Sequence, residues 1–407
     1  MSSNNRAQGR EFLYSLLSQS AYSIGSFFLL FFYSRFSASA DFSLIAIYFL
    51  IINSFSSILL SWKTQLWRVG NSDQCSALWI FLITGLLASV VWSGYVIKKS
   101  EFGMSLVVSV VACFLFVGYN LLRRGFLLGG NVAKASLADM LRLLGVFAGI
   151  ALASNFKLDI QSLSVTVIVS IVFPGIYIFG VYKKNINGFK AWCDCTAKSV
   201  FAIGEAGRKL LFVSGVNIFL SQLLLFVSPF YLSDFQYSSL RALDILLFPI
   251  FFIVQAIEPI VLRRLVAANE ANGKGGSTIL LGVFFVILIP FLIVCASVYF
   301  EIFGFDKILI SPEYVSDKRL IVSFAVFGIA LAIATTLRFW AISVARSKWL
   351  LRSVLTASIV SVLPLMFFDH IFVSAVSIVV LRCVYEIVVM LGSLVDLYFW
   401  RIGRNNA

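Results

Sequence analysis

The chain has 407 residues, of which 60% are hydrophobic and only 13% are charged, and its mean hydropathy is +0.97. This composition excludes a soluble globular domain and indicates a polytopic membrane protein. The net charge of +13 does not indicate nucleic-acid binding, because the basic residues are scattered between apolar runs, where they serve as topology signals and contacts for anionic lipids.

Twelve apolar segments follow one another along the chain, and each is long enough, or nearly long enough, to span a bilayer as a helix. In chain order they are 12–33, 42–62, 77–97, 104–127, 137–154, 160–181, 210–231, 236–262, 278–299, 320–343, 350–368 and 371–398. The sequence therefore predicts an all-α membrane protein with twelve transmembrane helices. The first segment is too long for a signal peptide, and no small-residue cleavage pattern follows it.

The longest polar connection lies in the middle of the chain and contains six basic residues. It divides the sequence into an N-terminal six-helix bundle (1–182), a basic linker (183–209) and a C-terminal six-helix bundle (210–407). Most of the other basic residues lie at the helix ends that share the side of this linker. Because cytoplasmic loops carry the excess of Lys and Arg, we predict that the linker and both chain termini are cytoplasmic.

The two halves resemble each other weakly in sequence. Residues 121–136 and 336–351 both contain Leu-Arg, an apolar turn, small residues and then a basic residue. A second match, in the same order, places a basic residue 26 positions after an aromatic residue that opens the second segment of each half. Because six spans return the chain to its starting side, both halves have the same orientation. We therefore predict a parallel repeat around a central cavity.

The eighth segment, 236–262, carries charges within an apolar, proline-containing helix. Arg241 lies one turn before Asp244, so these side chains are predicted to pair. Asp244 and Glu258 fall within about 40° of each other on one helix face. Since a charge in a membrane helix is costly unless it faces protein or water, this stripe indicates the wall of a water-filled cavity. The alternative is an ion pair near one interface, with Glu258 reaching the other.

Three more segments carry charges within their apolar stretches. Asp139 and Arg142 lie one turn apart in segment five, and Arg382 and Glu386 are four residues apart in segment twelve. Both spacings are typical of ion pairs that let a helix enter the membrane, and we predict a structural pair for Arg382 and Glu386. Arg338, in segment ten, has no acidic neighbour on its own helix. We expect its partner to lie elsewhere in the fold, or to be water or an anionic ligand.

The start of the chain shows a recognisable pattern. The apolar run SQSAYSIGSFFLLFFYSR ends at 34–35 (Ser-Arg), and the next helix opens at 41–43 (Asp-Phe-Ser). In the eighth segment Tyr237 is followed four residues later by Arg241, and the exit at 263–264 is basic. This pattern resembles the polysaccharide transporter family, where Ala-Arg and Glu-Phe-Gly stand at the first two places. The family includes the Wzx-type flippases, within the superfamily shared with MATE drug exporters and MurJ-type lipid II flippases.

The resemblance implies a flippase in the inner membrane of a bacterium. It would move a lipid-linked oligosaccharide by alternating access, for O-antigen, capsule or exopolysaccharide biosynthesis. Its expected partners are the lipid-linked diphosphate oligosaccharide, membrane lipids, and the polymerase and chain-length proteins of the same pathway. Arginine suits the diphosphate head, because its charged fork matches phosphate oxygens. The candidate substrate-binding residues are Arg241, Asp244, Arg338, Arg142 and Arg123.

Asp139 and Glu258 are the candidates for coupling transport to an ion. For Arg123, which stands next to Arg124, a second interpretation remains open, since paired arginines at a helix end are also typical of topology determinants. The sequence contains no nucleotide-binding loop, metal-ligand cluster or nucleophile triad, so we expect neither a cofactor nor a metal ion.

Two other functions compete with the flippase. The first is a cation-coupled multidrug exporter of the same superfamily; many of those have an acidic residue in helix one, whereas residues 12–33 contain none. The second is a multispan polysaccharide polymerase or ligase. Such enzymes need a sizeable external loop, but the longest outward connection, 300–319, is too short for a domain, and His370 is more typical of a solvated loop than of a catalytic base.

Overall fold

A computed structural model describes residues 2–68, 85–95, 104–128, 131–183, 220–270, 276–302, 312–343, 347–367 and 374–405, and all regular structure in these residues is helical. The helices are α1 Ser2–Phe36, α2 Ser39–Arg68, α3 Gly85–Tyr95, α4 Met104–Leu128, α5 Val132–Ala153, α6 Ile160–Lys183, α7 Leu220–Phe230, α8 Asp234–Glu270, α9 Gly276–Tyr299, α10 Lys318–Ser343, α11 Ser347–Phe367 and α12 Ala375–Asn405. Each predicted segment coincides with one of them, so the predicted all-α fold is confirmed.

The apolar character of these helices fits a bilayer, where a helix satisfies its own backbone hydrogen bonds. Within the described ranges, six helices (α2, α5, α6, α9, α10 and α12) are long and apolar enough to cross a membrane. The helices α3, α4, α7 and α11 contain shorter apolar stretches. The most apolar span is α9, with a mean hydropathy of 3.1 and only 22% of its span buried inside the protein. Its outer face therefore suits contact with lipid.

The chain folds as two compact units, Met1–Ile218 and Phe219–Ala407. The first contains α1 to α6 and the second contains α7 to α12. The predicted basic linker, 183–209, lies outside the described residues from position 184 onward.

Corresponding helices make the same contacts in the two units. In the first unit α5 packs against α1 and α6, and α4 packs against α2 and α6. In the second unit α12 packs against α11 and α10, and α10 packs against α8. The counterpart of the α1–α5 contact is also present, since Ser358 of α11 donates a hydrogen bond to the carbonyl oxygen of Leu220 in α7. In a parallel repeat, corresponding helices of the two halves must have the same neighbours in the same chain order, and this agrees with the contacts above.

Side-chain caps set the starting points of several helices. Ser233 and Gln236 form reciprocal hydrogen bonds at the start of α8, as in a capping box. Ser374 accepts the backbone N–H of Ser377 at the start of α12. Asp159 caps α6 in the same manner by accepting two backbone N–H groups at 3.0 Å. The caps of α8 and α12 fix the positions at which these helices carry their buried charges.

Small residues allow α5 and α6 to approach closely. A Cβ atom on Gly145 would lie 2.7 Å from the Cα of Ser170, and one on Gly149 would lie 3.0 Å from the Cα of Thr166. The two glycines are four residues apart, so they occupy the same helix face, as in the small-xxx-small pattern of membrane helix pairs. At these two positions α6 therefore packs directly against the backbone of α5.

Gly145→Ala is expected to destabilise the first unit by about 1–3 kcal/mol, because the new methyl group meets backbone atoms that cannot move aside singly. Thermal unfolding of the purified protein in detergent would measure the effect. Gly175→Ala, in α6, is the matched control, since no atom lies within 4 Å of the added carbon. Equal melting temperatures for the two variants would contradict close α5–α6 packing.

Candidate functional site

The helices α8 and α12 meet in the second unit at a buried carboxylate held by two arginines. Arg241 donates from Nη1 to Oδ2 of Asp244 at 2.9 Å, which confirms the predicted pairing within α8. Arg382 of α12 donates from Nη1 to Oδ1 of Asp244 at 2.7 Å. Each oxygen of the Asp244 carboxylate is thus bound by a different guanidinium. Charge-assisted hydrogen bonds of this kind are among the strongest in proteins.

The structure corrects the predicted pairing of Arg382 with Glu386. Arg382 binds Asp244 instead, while Glu386 pairs with Arg338 of α10 at 3.5 Å. The reason is tertiary, because the Arg382 guanidinium lies over the ring of Phe327 in α10, 4.3 Å from its centre. This contact directs the side chain toward α8 and α10 and away from the next turn of α12. The expectation that Arg338 finds its partner elsewhere in the fold is met by Glu386.

The cluster formed by these five charged residues carries an excess of positive charge. It has three arginines and two carboxylates, so one guanidinium charge is not balanced within it. The residues Arg241, Asp244 and Glu386 are each less than one-tenth exposed. Buried charges are costly unless they are paired and hydrogen-bonded, so an unbalanced positive charge favours an anion at this place.

Four buried polar atoms at the cluster have no hydrogen-bond partner among the described residues. They are Nε of Arg241, Nε of Arg338, and the hydroxyl oxygens of Tyr237 and Tyr385. Tyr237 lies one turn before Arg241 on α8, and Tyr385 precedes Glu386 on α12. Buried polar groups are normally hydrogen-bonded. Four unused donors beside an excess positive charge suit a ligand with several anionic oxygen atoms.

A second charged cluster joins α1, α4 and α5 in the first unit. Asp139 is fully buried and accepts from Nε of Arg123 at 2.7 Å and from the hydroxyl groups of Tyr119 and Ser18. Arg123 also donates to Gln19 of α1 at 3.1 Å. Only 5% of the surface of Arg123 is exposed, so its guanidinium faces the interior of the first unit.

Arg142 does not form the ion pair with Asp139 that its spacing indicated. Its guanidinium donates to the backbone oxygen of Tyr22 and to the hydroxyl of Ser26, both at 3.1 Å. It also lies 4.4 Å from the centre of the Tyr22 ring. Arg123 is the same distance from that ring, so one tyrosine contacts two guanidinium groups. Cation–π contacts of this kind stabilise a buried positive charge.

The two clusters differ in how completely their polar atoms are used. In the first unit the Asp139 carboxylate has donors on both oxygens, and Nε of Arg142 and Oγ of Ser23 in α1 are the unpartnered buried atoms of these helices within the described residues. The second-unit cluster has four such atoms. We therefore take the second-unit cluster as the candidate binding site and the first-unit cluster as a joint between helices.

Several predicted residues remain to be placed. The roles of Arg123 and Arg142 in substrate binding, and of Asp139 in coupling, stay predictions. The side chains of Glu258 and Arg124 lie outside the described part of the structure. No three His, Cys, Asp or Glu residues in the described ranges are placed to hold a metal ion.

Sequence reasoning missed the two tyrosines at the site. The resemblance already paired Tyr237 with Arg241, but Tyr237 was not named as a site residue, although it lies four residues before Arg241 and so shares a helix face with it. Tyr385 had a similar signal, since it lies three residues after Arg382 on α12.

Known proteins resemble the chain in structure. No protein-family model and no curated protein sequence matches it. Solved structures match over almost its whole length. One of them is the lipid II flippase MurJ in an inward-closed conformation. It has a TM-score of 0.65 and 12% identity, and the match covers 95% of this chain and 87% of that one. The chain has the fold of the MOP superfamily transporters.

Two further structures with this fold extend the comparison. The first is a MOP superfamily transporter from Pyrococcus furiosus, with a TM-score of 0.60 and 14% identity over 97% of this chain and 95% of that one. That structure is described as having a binding pocket of reverse polarity, which suggests a different function. The eukaryotic MATE transporter AtDTX14 has a TM-score of 0.61 and 13% identity, with coverage of 95% and 93%. The MOP fold is therefore shared with structures described as a lipid flippase and as a MATE transporter.

Proposed function

We propose that this protein is a flippase that moves a lipid-linked oligosaccharide across the cytoplasmic membrane, as the sequence resemblance implies. The diphosphate head binds at the charged cluster of the second unit. Support comes from a fold shared with MOP superfamily transporters and from the charge and unused donors of that cluster.

The observation that carries this proposal is the position of the Asp244 carboxylate. Its two oxygens each bind a guanidinium, from Arg241 at 2.9 Å and from Arg382 at 2.7 Å. A phosphate group presents oxygen atoms in a similar way and carries more charge, so it can take the place of the carboxylate between the two forks. While no substrate is bound, Asp244 pairs with both arginines and balances one of their two charges.

The depth of the cluster suits a substrate that must cross the hydrocarbon layer. Asp244 lies ten residues after the start of α8, which is about 15 Å along the helix. The hydrocarbon core is about 30 Å thick, and the predicted segment starts at residue 236, so the cluster would lie within the outer half of the hydrocarbon layer. A diphosphate cannot cross this region unaided, because an unpaired charge there is too costly. Alternating access of the two halves would carry the head past the midplane.

A cation-coupled multidrug exporter is the second candidate. One observation favours it. Many such exporters have an acidic residue in helix one, whereas α1 has none between residues 12 and 33. Asp139 of α5 contacts Ser18 of α1 and so places a buried carboxylate against this helix. The charged cluster of the second unit argues against the exporter, because its excess of positive charge would repel a cationic drug.

Transport into proteoliposomes distinguishes the two candidates. The purified protein is reconstituted with a polyprenyl diphosphate that carries a fluorescent sugar, and an impermeant quencher reports the fraction of the lipid in the outer leaflet. We expect the protein to bring the inner-leaflet pool into reach of the quencher while leaving ethidium uptake unchanged. Ethidium transport without movement of the diphosphate lipid would overturn the flippase and favour the exporter.

A further inference from the structure

The charged cluster of the second unit and the head of the proposed substrate do not carry equal charge. The cluster has three arginines and two carboxylates, which leaves an excess of one positive charge. A diphosphate that links a lipid to a sugar is a diester with two negative charges. Together they carry one negative charge that the cluster does not balance. An unbalanced charge is costly in a buried site, so binding of the head calls for one more positive charge.

We propose that Asp244 takes up one proton when the diphosphate head binds, so that the site and its ligand together are neutral. This inference rests on the proposed function, because it assumes that a phosphate takes the place of the Asp244 carboxylate between two guanidinium groups. The proton comes from water and forms an O–H bond to the displaced carboxylate. Proton and anion therefore bind together and do not compete.

Asp244 is the carboxylate that loses its counter-charges on binding. It accepts from Arg241 at 2.9 Å and from Arg382 at 2.7 Å, and only 5% of its surface is exposed. Once a phosphate holds both guanidinium groups, the carboxylate is left buried beside a negative charge. Burial and a neighbouring like charge both favour the neutral form of a carboxyl group. Glu386, in contrast, keeps Arg338 as its partner.

The neutral form of Asp244 also changes its contact with the ligand. An ionised carboxylate only accepts hydrogen bonds and would repel the phosphate that displaced it, whereas a protonated carboxyl group donates one. The Asp244 side chain can then bind a phosphate oxygen without leaving the site. Loss of the proton restores the carboxylate, which again competes for the two guanidinium groups.

The helices packed against α8 bring further titratable groups to the second unit. Within the described residues, α9 carries no charged side chain. The short helix Pro312–Val315 lies near the start of α8, where Tyr314 contacts Phe235, about 13 Å along the helix from Asp244. The titratable side chains around Asp244 on α8 and on the elements packed against it are Tyr237, Arg241, Cys295, Glu313, Tyr314, Arg338, Arg382, Tyr385 and Glu386.

The test needs a diphosphate whose own charge is fixed. Isopentenyl diphosphate is a small soluble probe of the head site, but its terminal phosphate itself titrates near pH 6, or about one unit below neutral. Dimethyl diphosphate, with one methyl group on each phosphate, keeps two negative charges throughout the neutral range. Dimethyl phosphate carries one negative charge and is the matched control ligand, because the excess charge of the cluster balances it without a proton.

Calorimetric titrations count the protons taken up per ligand bound. The full-length protein is titrated in detergent, in buffers that differ in their enthalpy of ionisation. We expect uptake of about one proton with dimethyl diphosphate and none with dimethyl phosphate. By linkage, the affinity for dimethyl diphosphate should fall about tenfold for each unit of pH over the range in which Asp244 is ionised in the free protein.

Asp244→Asn identifies the group that takes up the proton, because an amide resembles the protonated carboxyl group and does not titrate. This variant should bind dimethyl diphosphate with an affinity independent of pH and without proton uptake. The infrared difference spectrum of the unaltered protein should gain the carbonyl band of a protonated carboxyl group on binding, and that of Asp244→Asn should not. Asp41→Asn is the control, since Asp41 pairs with Lys157 in the first unit, and it should behave as the unaltered protein does.

The outcomes separate this inference from the function on which it rests. Failure of both diphosphates to bind would overturn the head site and hence the proposed function. Binding of dimethyl diphosphate without proton uptake, or equal uptake with dimethyl phosphate, would overturn the inference alone. Uptake that persists in Asp244→Asn would also overturn it. If that variant does not accumulate, the comparison of the two ligands and the infrared spectrum of the unaltered protein still decide the question.

Discussion

Arg241→Ala is expected to abolish transport of the lipid-linked diphosphate while the protein still accumulates in the membrane. The protein persists because Asp244 keeps Arg382 at 2.7 Å, so no buried carboxylate is left without a counter-charge. The ligand, in contrast, loses one of its two guanidinium groups. A hydrogen bond to a charged group contributes about 1.5–3 kcal/mol, which corresponds to an affinity loss of about tenfold to hundredfold for isopentenyl diphosphate.

Arg241→Lys should recover part of this loss, because a point charge replaces a fork. Arg319→Ala is the control, since Arg319 is an exposed arginine at the start of α10 in the same unit. Reduced abundance of Arg241→Ala with normal transport per molecule would instead identify a structural ion pair.

Asp244→Asn sharpens this comparison. It leaves Arg241 and Arg382 without a shared anion, so the melting temperature should fall, and isopentenyl diphosphate should restore it. The exchanged pair, Arg241→Asp with Asp244→Arg, is not a clean test of a structural ion pair, because the new arginine would face Arg382. No rescue of Asp244→Asn by the ligand would argue against anion binding here.

Asp139→Ala is expected to destabilise the first unit by about 3–5 kcal/mol, the usual cost of removing one partner from a buried ion pair. Arg123 would remain buried, with Ser18 and Gln19 as its remaining polar partners among the described residues. Three helices meet at this carboxylate, so their packing should loosen together. The loss should appear as a lower melting temperature in detergent and a lower amount of protein in the membrane.

Asp41→Ala provides the control for this change. Asp41 pairs at 3.3 Å with Lys157, whose side chain is 74% exposed, and such surface pairs contribute about 0–1 kcal/mol. Asp139→Asn distinguishes a joint from a coupling site. A variant that is as abundant as the unaltered protein but inactive in transport would show that Asp139 couples transport to an ion and does not merely hold the helices.

Much of the architecture could be predicted from the sequence, because membrane helices are determined by local composition. Twelve apolar stretches predicted twelve helices, and the structure contains a helix at each of them. The pairing of Arg241 with Asp244 was equally accessible, since two residues three apart on one helix are neighbours whatever surrounds them.

The partners of the other buried charges depended on contacts between helices that are distant in sequence. Asp139 has an arginine one turn away but binds Arg123, 16 residues earlier on α4. Arg382 has a carboxylate one turn away but binds Asp244, which lies 138 residues earlier. In both cases an oppositely charged residue lay one helical turn away at a distance suitable for pairing. The long arginine side chain could also point elsewhere, so the spacing alone did not determine its partner.

The sequence by itself determined which residues are helical, which helices are apolar, and that charges lie within them, because these properties depend on neighbours along the chain. Only the tertiary structure decided which charges meet and which donors are left unused. A guanidinium takes the direction that its packing allows, and here the rings of Phe327 and Tyr22, from other helices, set that direction. The excess of arginine and the four unpartnered donors of the second unit exist only once α8, α10 and α12 are packed together.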